Sequence, residues 1–367
     1  MKILELNDSP IHVSGWGAAP GPLRYSNAEV CDIFGFDPGV ADQVERKIGT
    51  RYRHACVDLR ARRQLVTAAD MAHEAARAAL ARASLTVADL DAIIAVGTVP
   101  DHYCPPNSVR LQKLLGIEAG LTFDLYGGCG LWGQATFLAA QLLQAGTVET
   151  VLVVATEPLT RQLWTMRRTW EVLAFGDGAA AMIFSRRHRG PFHLRRCGAG
   201  TAGNLGSDSK PIWDEIMIVP ALGPVLPPVL ASDNRFDPAL PPSGYPDEYR
   251  TSHRADLAAR WGAHYMATAV EQITAGIDRG DIYLCPHQPS RVVLDAVQAK
   301  LALDPAQIAV INPDFGNLSS ASSPMAFCQH FEDGPDRYPW TVLAPVGTGL
   351  TYGAALLERV GSKHATR

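Results

Sequence analysis

The sequence predicts an α/β fold in which buried strands alternate with helices. Asp91–Val96 (DAIIAV), Val151–Ala155 (VLVVA) and Ala179–Phe184 (AAAMIF) are short apolar runs of strand length. Between the first two lies Leu131–Ala145, apolar around most of its circumference, as suits a helix buried in mid-domain. Strands alternating with helices of this length imply a layered architecture.

The elements follow in order. Residues 67–83 (TAADMAHEAARAALARA) are Ala-rich with charges to one side, and read as an amphipathic helix opened by Thr67. A second set begins at Phe192–Arg196, read as a strand. Asp256–Arg279 reads as a long helix, Ile282–Cys285 as a strand and Arg291–Lys300 as a helix. Ile308–Ile311 reads as a strand, Ser322–Gln329 as a helix, and Thr341–Ala344 and Gly353–Val360 as strands. This order loosely repeats the first, so the chain divides into halves 1–190 and 191–367. Pro211–Pro246 holds nine of the 26 prolines, which forbid regular helix and central strand there. It marks an insertion at about 208–250, either a surface loop or a lid or wall of a substrate channel.

Composition bounds the function. Apolar residues make up 47% of the 367, enough for a large core. Lys+Arg is 33 against Asp+Glu 37, a net charge of −4, which argues against binding nucleic acid by phosphate neutralisation. Seven cysteines, at 31, 56, 104, 129, 197, 285 and 328, contain no C-x-x-C pair, against a disulfide framework or a zinc site. The start MKILELNDSPIHV lacks the apolar core of a signal peptide, and Ile216–Ala231 is broken by Pro220, Pro224, Pro227 and Pro228. A reduced, soluble, cytoplasmic protein is expected, bound to neither membrane nor nucleic acid.

Several motifs fall away. Gly198-Ala-Gly-Thr-Ala-Gly203 matches G-x-G-x-x-G, but NLGSDSKP follows where a phosphate-binding helix would have to start. His54-x-x-x-Asp58 reads as chance. There is no Walker A sequence, no H-E-x-x-H and no G-x-S-x-G.

One constellation remains. In Asp124-Leu-Tyr-Gly-Gly-Cys129-Gly-Leu-Trp a strand runs into glycines, a cysteine and the buried helix. A cysteine at a helix N-terminus has its thiolate stabilised by unpaired amides and the helix dipole, and the same amides can hold an oxyanion. The plain alternative is a small buried core cysteine. Leu284-Cys-Pro-His287 ends a second strand with a histidine. Ile311-Asn-Pro-Asp-Phe-Gly-Asn317 ends a third with an asparagine. In open α/β sheets ligands gather at the carboxyl ends of strands.

With these residues in place, the chain resembles the β-ketoacyl-ACP synthase III family of condensing enzymes. The resemblance rests on collinear segments: Ile48-Gly-Thr-Arg-Tyr-Arg-His-Ala, Pro105–Leu115, the Cys129 stretch, Phe175-Gly-Asp-Gly-Ala-Ala, Pro286-His287-Gln, Gly316-Asn317 and Val346-Gly-Thr-Gly-Leu-Thr-Tyr-Gly. It implies the thiolase fold, a duplicated five-layer αβαβα unit, normally a homodimer. It implies Cys129 as acyl-accepting nucleophile, with His287 and Asn317 as partners and the amides of Cys129 and Thr348 as oxyanion hole. It places Lys47, Arg51, Arg53, Cys104, Phe175, Gly347 and Gly349 among substrate- or carrier-binding residues. No metal or redox cofactor is implied; the phosphopantetheine arm arrives with an acyl-CoA or acyl carrier protein thioester.

The implied reaction is acyl transfer to Cys129, then decarboxylative condensation with a malonyl-type thioester. Transfer of the acyl group to a hydroxyl or amine of a natural product is the alternative, and a non-catalytic heterodimer partner a third reading. The chain departs from the family pattern in ways that suggest a specialised relative. Thr348 stands where the family has glycine. Gln43 and Lys47 stand where it has tryptophan and arginine, which favours a carrier-protein donor over free CoA. Cys104 replaces a common aromatic and would leave room for a longer acyl chain. The basic stretch Arg46, Lys47, Arg51, Arg53, Arg60, Arg62 and Arg63 is expected to steer an acidic carrier, at least through Arg46–Arg53. Arg167–Arg168 form a second cluster, and Arg186–Arg189 read as ordinary solvated charge.

Overall fold

The structure, a computed structural model of the chain, describes residues 1–6, 10–165, 169–202, 217–218, 252–253, 255–331 and 338–361. One sheet of eleven strands organises it. In chain order these are β1 Lys2–Glu5, β2 Ile11–Pro20, β3 Ala92–Gly97, β4 Leu121–Tyr126, β5 Thr150–Glu157, β6 Gly178–Ser185, β7 Phe192–Thr201, β8 Ile282–Pro286, β9 Trp340–Ala344, β10 Val346–Gly347 and β11 Thr351–Arg359. The helices are α1 Asn27–Phe34, α2 Gly39–Ile48, α3 Ala68–Ala83, α4 Asn107–Leu115, α5 Leu131–Gln144, α6 Thr169–Ala174, α7 Ala255–Ile273, α8 Arg291–Leu301, α9 Asn312–Phe315 and α10 Ser322–His330.

The strands run β8-β9-β11-β7-β2-β6-β5-β3-β4, with β1 beside β7 and β10 beside β11. The pairing pattern occurs twice. β3 lies parallel to β4 and β5, and β6 antiparallel to β5 and β2. Likewise β8 lies parallel to β9 and bridges in parallel to Ile308, and β11 lies antiparallel to β9 and β7. The half-sheets join where β2 meets β7, from Ile11↔Leu194 to Val13↔Phe192.

Alternate side chains of each strand serve different layers. On β3, Ala92, Ile94 and Val96 face a central layer with α5 and α10, whereas Ile93 and Ala95 face α3 and α4. On β8, Tyr283 and Cys285 face the central layer, whereas Ile282 and Leu284 face α7 and α8. The result is the five-layer αβαβα thiolase arrangement that the sequence led us to expect.

Local signals set the ends. Thr67 caps α3, with the Asp70 amide donating to its hydroxyl (3.1 Å) and its own amide donating to the Asp70 carboxylate (2.8 Å). β2 is buried over most of its length although glycines interrupt it. A Cβ on Gly17 would lie 2.4 Å from the Ala75 carbonyl oxygen, so glycine lets α3 lie directly on the strand.

Some expectations need correction. The helix read as Asp256–Arg279 ends at Ile273, and Gly276 follows at φ 83°, a left-handed position that stops it. Ile308–Ile311 is no strand; it shrinks to the Leu284–Ile308 bridge, because Pro313 opens the short helix α9 directly after it. Gly198 and Gly200 lie inside β7, not in a phosphate loop. The proline-rich stretch at about 208–250 lies mostly outside the described residues, and Met217–Ile218 pairs with Ser252–His253. Among the described residues no helix is long and apolar enough to cross a membrane, and no group of three or more side chains is placed to hold a metal ion.

Candidate active site

A cavity of about 460 Å³ opens where the two halves meet, with a predominantly apolar lining. Cys129, His287, Asn317, Phe175, Lys47, Gly347 and Thr348 all line it. Each catalytic candidate follows the end of a strand or bridge. Cys129 stands between β4 and α5, with Gly130 as the residue before the helix. His287 follows β8, where its amide donates to the Ala344 carbonyl (3.0 Å). Asn317 follows α9 and bridges in parallel to Phe175, with its amide donating to Ala174 O (2.8 Å).

The electrostatics differ from the sequence expectation. Cys129 is 9% exposed, and burial pushes its thiol up to about 12. The Ser319 hydroxyl, 3.2 Å from Sγ, works against that rise, and the charge of Glu157 adds to it. Desolvation therefore outweighs the helix N-terminus, and the resting group is a thiol. Burial likewise drives His287 down to about 3, opposed by a hydrogen bond to the Ser319 backbone. Its Nδ1 is buried with no hydrogen-bond partner among the described residues. A neutral imidazole has one N–H, here given to the Ser319 carbonyl, and no charge to hold. Asn317 Oδ1 accepts from the Ser319 amide (2.8 Å), which leaves Nδ2 as the group able to donate.

The loop 347–349 packs on the turn that carries Cys129. A Cβ on Gly347 would lie 2.5 Å from the Cys129 amide nitrogen, and Gly349 takes φ 110°. The room for Thr348 comes from Gly128, whose missing Cβ would sit 2.2 Å from Thr348 Oγ1. The threonine is thus accommodated by the missing side chain of Gly128 beside it.

The remaining candidates scatter. Arg51 is exposed, and Cys104 is exposed ahead of Pro105. Arg53 is 0% exposed, and burial pulls its guanidinium down to about 9. It donates to the carbonyls of Leu173 (3.0 Å) and Ser26 (3.3 Å) and to Asn27 Oδ1. It cannot steer a partner, and the expectation that placed it on a basic rim is wrong. The strand Tyr52–Ala55 alternates, so Arg53 and Ala55 share the inward face. Arg187 is paired with Glu149 at 3.3 Å in an exposed setting, as solvated charge should be. Arg167 and Arg168 lie outside the described residues.

Sequence reasoning missed Glu157, Thr98, Ser319 and Ser320. Glu157, 0% exposed, ends β5 and accepts from the Thr98 amide (3.1 and 3.0 Å), the Thr98 hydroxyl (3.1 Å) and the Ser320 amide (3.1 Å). The available signal was a lone acid closing the apolar run VLVVATE.

Comparison with known proteins agrees with this geometry. Residues 123–199 match the family model 3-oxoacyl-[acyl-carrier-protein (ACP)] synthase III, and residues 273–359 match that of its C-terminal part. The chain is 30% identical to the β-ketoacyl-[acyl-carrier-protein] synthase III of Rhizobium rhizogenes over 355 residues, 94% of this chain and 98% of the relative. In fold it is similar to the Thermus thermophilus β-ketoacyl-[acyl carrier protein] synthase III (TM-score 0.78, 24% identity, 96% of this chain and 100% of that one). It is also similar to the priming β-ketosynthase of the R1128 polyketide pathway (TM-score 0.75, 23% identity, 97% and 98%). The chain belongs to the β-ketoacyl-ACP synthase III family. It is an enzyme of the transferase class.

Proposed function

We propose that this chain condenses an acyl thioester with a malonyl-type thioester to give a β-ketoacyl product. Cys129 Sγ attacks the thioester carbonyl and takes the acyl group. The amides of Cys129 and Thr348 hold the oxyanion of that step. The malonyl unit then loses CO₂, and the resulting enolate oxygen takes the Nδ2–H of Asn317 and a share of the His287 N–H that otherwise goes to the Ser319 carbonyl. The enolate carbon attacks the acyl-Cys129. No bound cofactor takes part, and the phosphopantetheine arm enters with each substrate. The observation that carries this reading is the convergence of Cys129, His287 and Asn317 on one apolar cavity. A neutral His287 suits an enolate-stabilising donor better than a base for acylating a hydroxyl or amine, which sets the plain acyltransferase reading second.

The test is the intact-protein mass after incubation with a panel of acyl-CoA and acyl-carrier thioesters, then a malonyl-thioester chase. Wild type should gain one acyl group, and Cys129→Ala none. The chase should discharge the adduct with release of CO₂. An adduct removed only by a hydroxyl or amine acceptor would sink the condensation reading. Lys47 at the cavity and exposed Arg51 four residues along the chain favour a carrier donor, so faster loading from CoA would overturn that part.

The dimer reading rests on β4. It is the last strand of the sheet order, and its Leu121 and Tyr126 are 37% and 38% exposed, beside Leu114 of α4 at 44%. An apolar edge strand invites a second copy. Light scattering should give twice the 39.5 kDa chain mass, and a monomer would refute it.

A further inference from the structure

Behind Cys129 lies a line of hydroxyls that ends on a buried acid. Ser319 Oγ is 3.2 Å from Cys129 Sγ and 2.8 Å from Thr98 Oγ1. Thr98 Oγ1 donates to Glu157 Oε1 at 3.1 Å. Ser319 is one of few non-glycine residues at positive φ, 46°. Such a conformation costs a serine energy, and it persists where surrounding structure holds the side chain to a purpose. Glu157 is fully buried, and no ion pair of it occurs among the described residues. Carboxylates are almost never buried unpaired, because the charge is costly to desolvate.

Thr98 and Ser320 could serve only to tie loops to β5. That role accounts for the amides donated to Glu157. It does not account for the hydroxyl line running on from Thr98 through Ser319 to the sulfur. His287 offers no substitute, since burial holds it neutral and weakly basic. Resting on the reading of Cys129 as nucleophile, we infer that Glu157 is the proton acceptor for Cys129, reached through Ser319 and Thr98.

The steps balance. In the structure the Ser319 hydroxyl donates to Sγ; for the relay it turns its proton to Thr98 Oγ1, the thiol then donates to Ser319 Oγ, and the Thr98 proton faces Glu157 Oε1. As Sγ bonds to the acyl carbon, each proton moves one place. The S–H bond breaks and an O–H bond forms on Glu157. The donor sulfur leaves with the electron pair of the broken C–S bond and takes a proton from solvent. In the condensation, CO₂ departs and its bonding pair becomes the enolate. The enolate carbon bonds to the acyl carbon, and Sγ leaves as a thiolate. The protons then move back, restoring thiol and carboxylate. The Ser319 hydroxyl, which donates to Sγ in the structure, is placed to stabilise that thiolate. One solvent proton is consumed per cycle, the one on the released thiol.

The groups facing Glu157 are Thr98 after β3, Ser320 before α10 and, one hydroxyl further, Cys129 before α5. Cys129 is the titratable one among them. Burial raises the Glu157 carboxyl to about 7, which suits a base working near neutrality.

The test is rapid-quench acyl loading of full-length wild type, Glu157→Gln, Thr98→Val, Thr98→Ser and Cys129→Ala across the neutral pH range. Wild-type loading should rise with pH and level off above about 7, as the carboxylate becomes free to accept. Glu157→Gln and Thr98→Val should load about a hundredfold more slowly and lose that inflection. Thr98→Ser, which keeps the hydroxyl, should restore both rate and inflection; this pair separates proton transfer from a packing fault. Faster loading by Glu157→Gln would show that the carboxylate merely keeps the thiol protonated, and the relay falls. Wild-type rates in Thr98→Val with an unmodified Cys129→Ala control would also remove the relay and leave the nucleophile standing. An adduct on Cys129→Ala would overturn both.

Discussion

The two half-sheets end in different chemistry at matching places. β3 and β8 hold the same position, each parallel to its neighbours. The residue after β3 is Thr98, whose hydroxyl turns toward a buried carboxylate; the residue after β8 is His287, whose Nδ1 meets no partner among the described residues. One connection further, β4 leads through Cys129 into α5, while the Ile308 segment leads through Asn317 and Ser319 into α10. The first half supplies the sulfur and the acid behind it. The second supplies neutral N–H donors at the cavity. The scaffold fixes positions, and one residue after each strand decides what each position does.

Exchanging those residues breaks the comparison most severely. His287→Thr gives the second half the residue its counterpart carries. Acyl loading should survive within a few-fold, whereas decarboxylation of the malonyl unit should fall on the order of 10²–10³-fold, the usual cost of one oxyanion donor. Single-turnover measurement of each half-reaction checks the split, and an equal loss in both would count against the donor role. The pH response sharpens the point. With the imidazole held down to about 3, condensation from preloaded enzyme should show no inflection near the ordinary 6.5 of histidine. Between those values the unfolded chain binds a proton that the folded one refuses, so His287 makes the fold less stable as pH falls through the window.

The layers and most elements were legible in the sequence, because apolar runs of strand length and Ala-rich helical stretches are strong signals. β2 was not, since Gly15 and Gly17 interrupt its run; the close approach of α3 that they permit is a tertiary fact. Cys129, His287 and Asn317 stood out as rare residue types after strands. Thr98, Ser319 and Ser320 did not, because hydroxyls at strand and helix ends are common, and their link to Glu157 spans up to 221 positions of sequence, as between Thr98 and Ser319. Arg53 was misread because a run of arginines suggests a surface, while strand alternation turned this one inward. The thiol was misread because the helix end was weighed without the burial that overrides it.

The smallest effect concerns the seam where the halves touch. Gly128 belongs to the first half and Thr348 to the second. A methyl on Gly128 would lie 2.2 Å from Thr348 Oγ1 and 3.0 Å from the Thr348 amide nitrogen. The first contact is to a side chain that can rotate away; the second is to backbone that cannot. Gly128→Ala should therefore cost about 1–3 kcal/mol, the usual range for overpacking. Because the displaced amide is the one proposed for the oxyanion hole, loading should slow about tenfold as well. Thr348→Gly in the same chain removes the hydroxyl clash and leaves the backbone one. The double variant should recover most of the melting temperature and only part of the loading rate. Full recovery of both would mean that the side chain alone sets the seam, and that the amide of residue 348 holds no oxyanion.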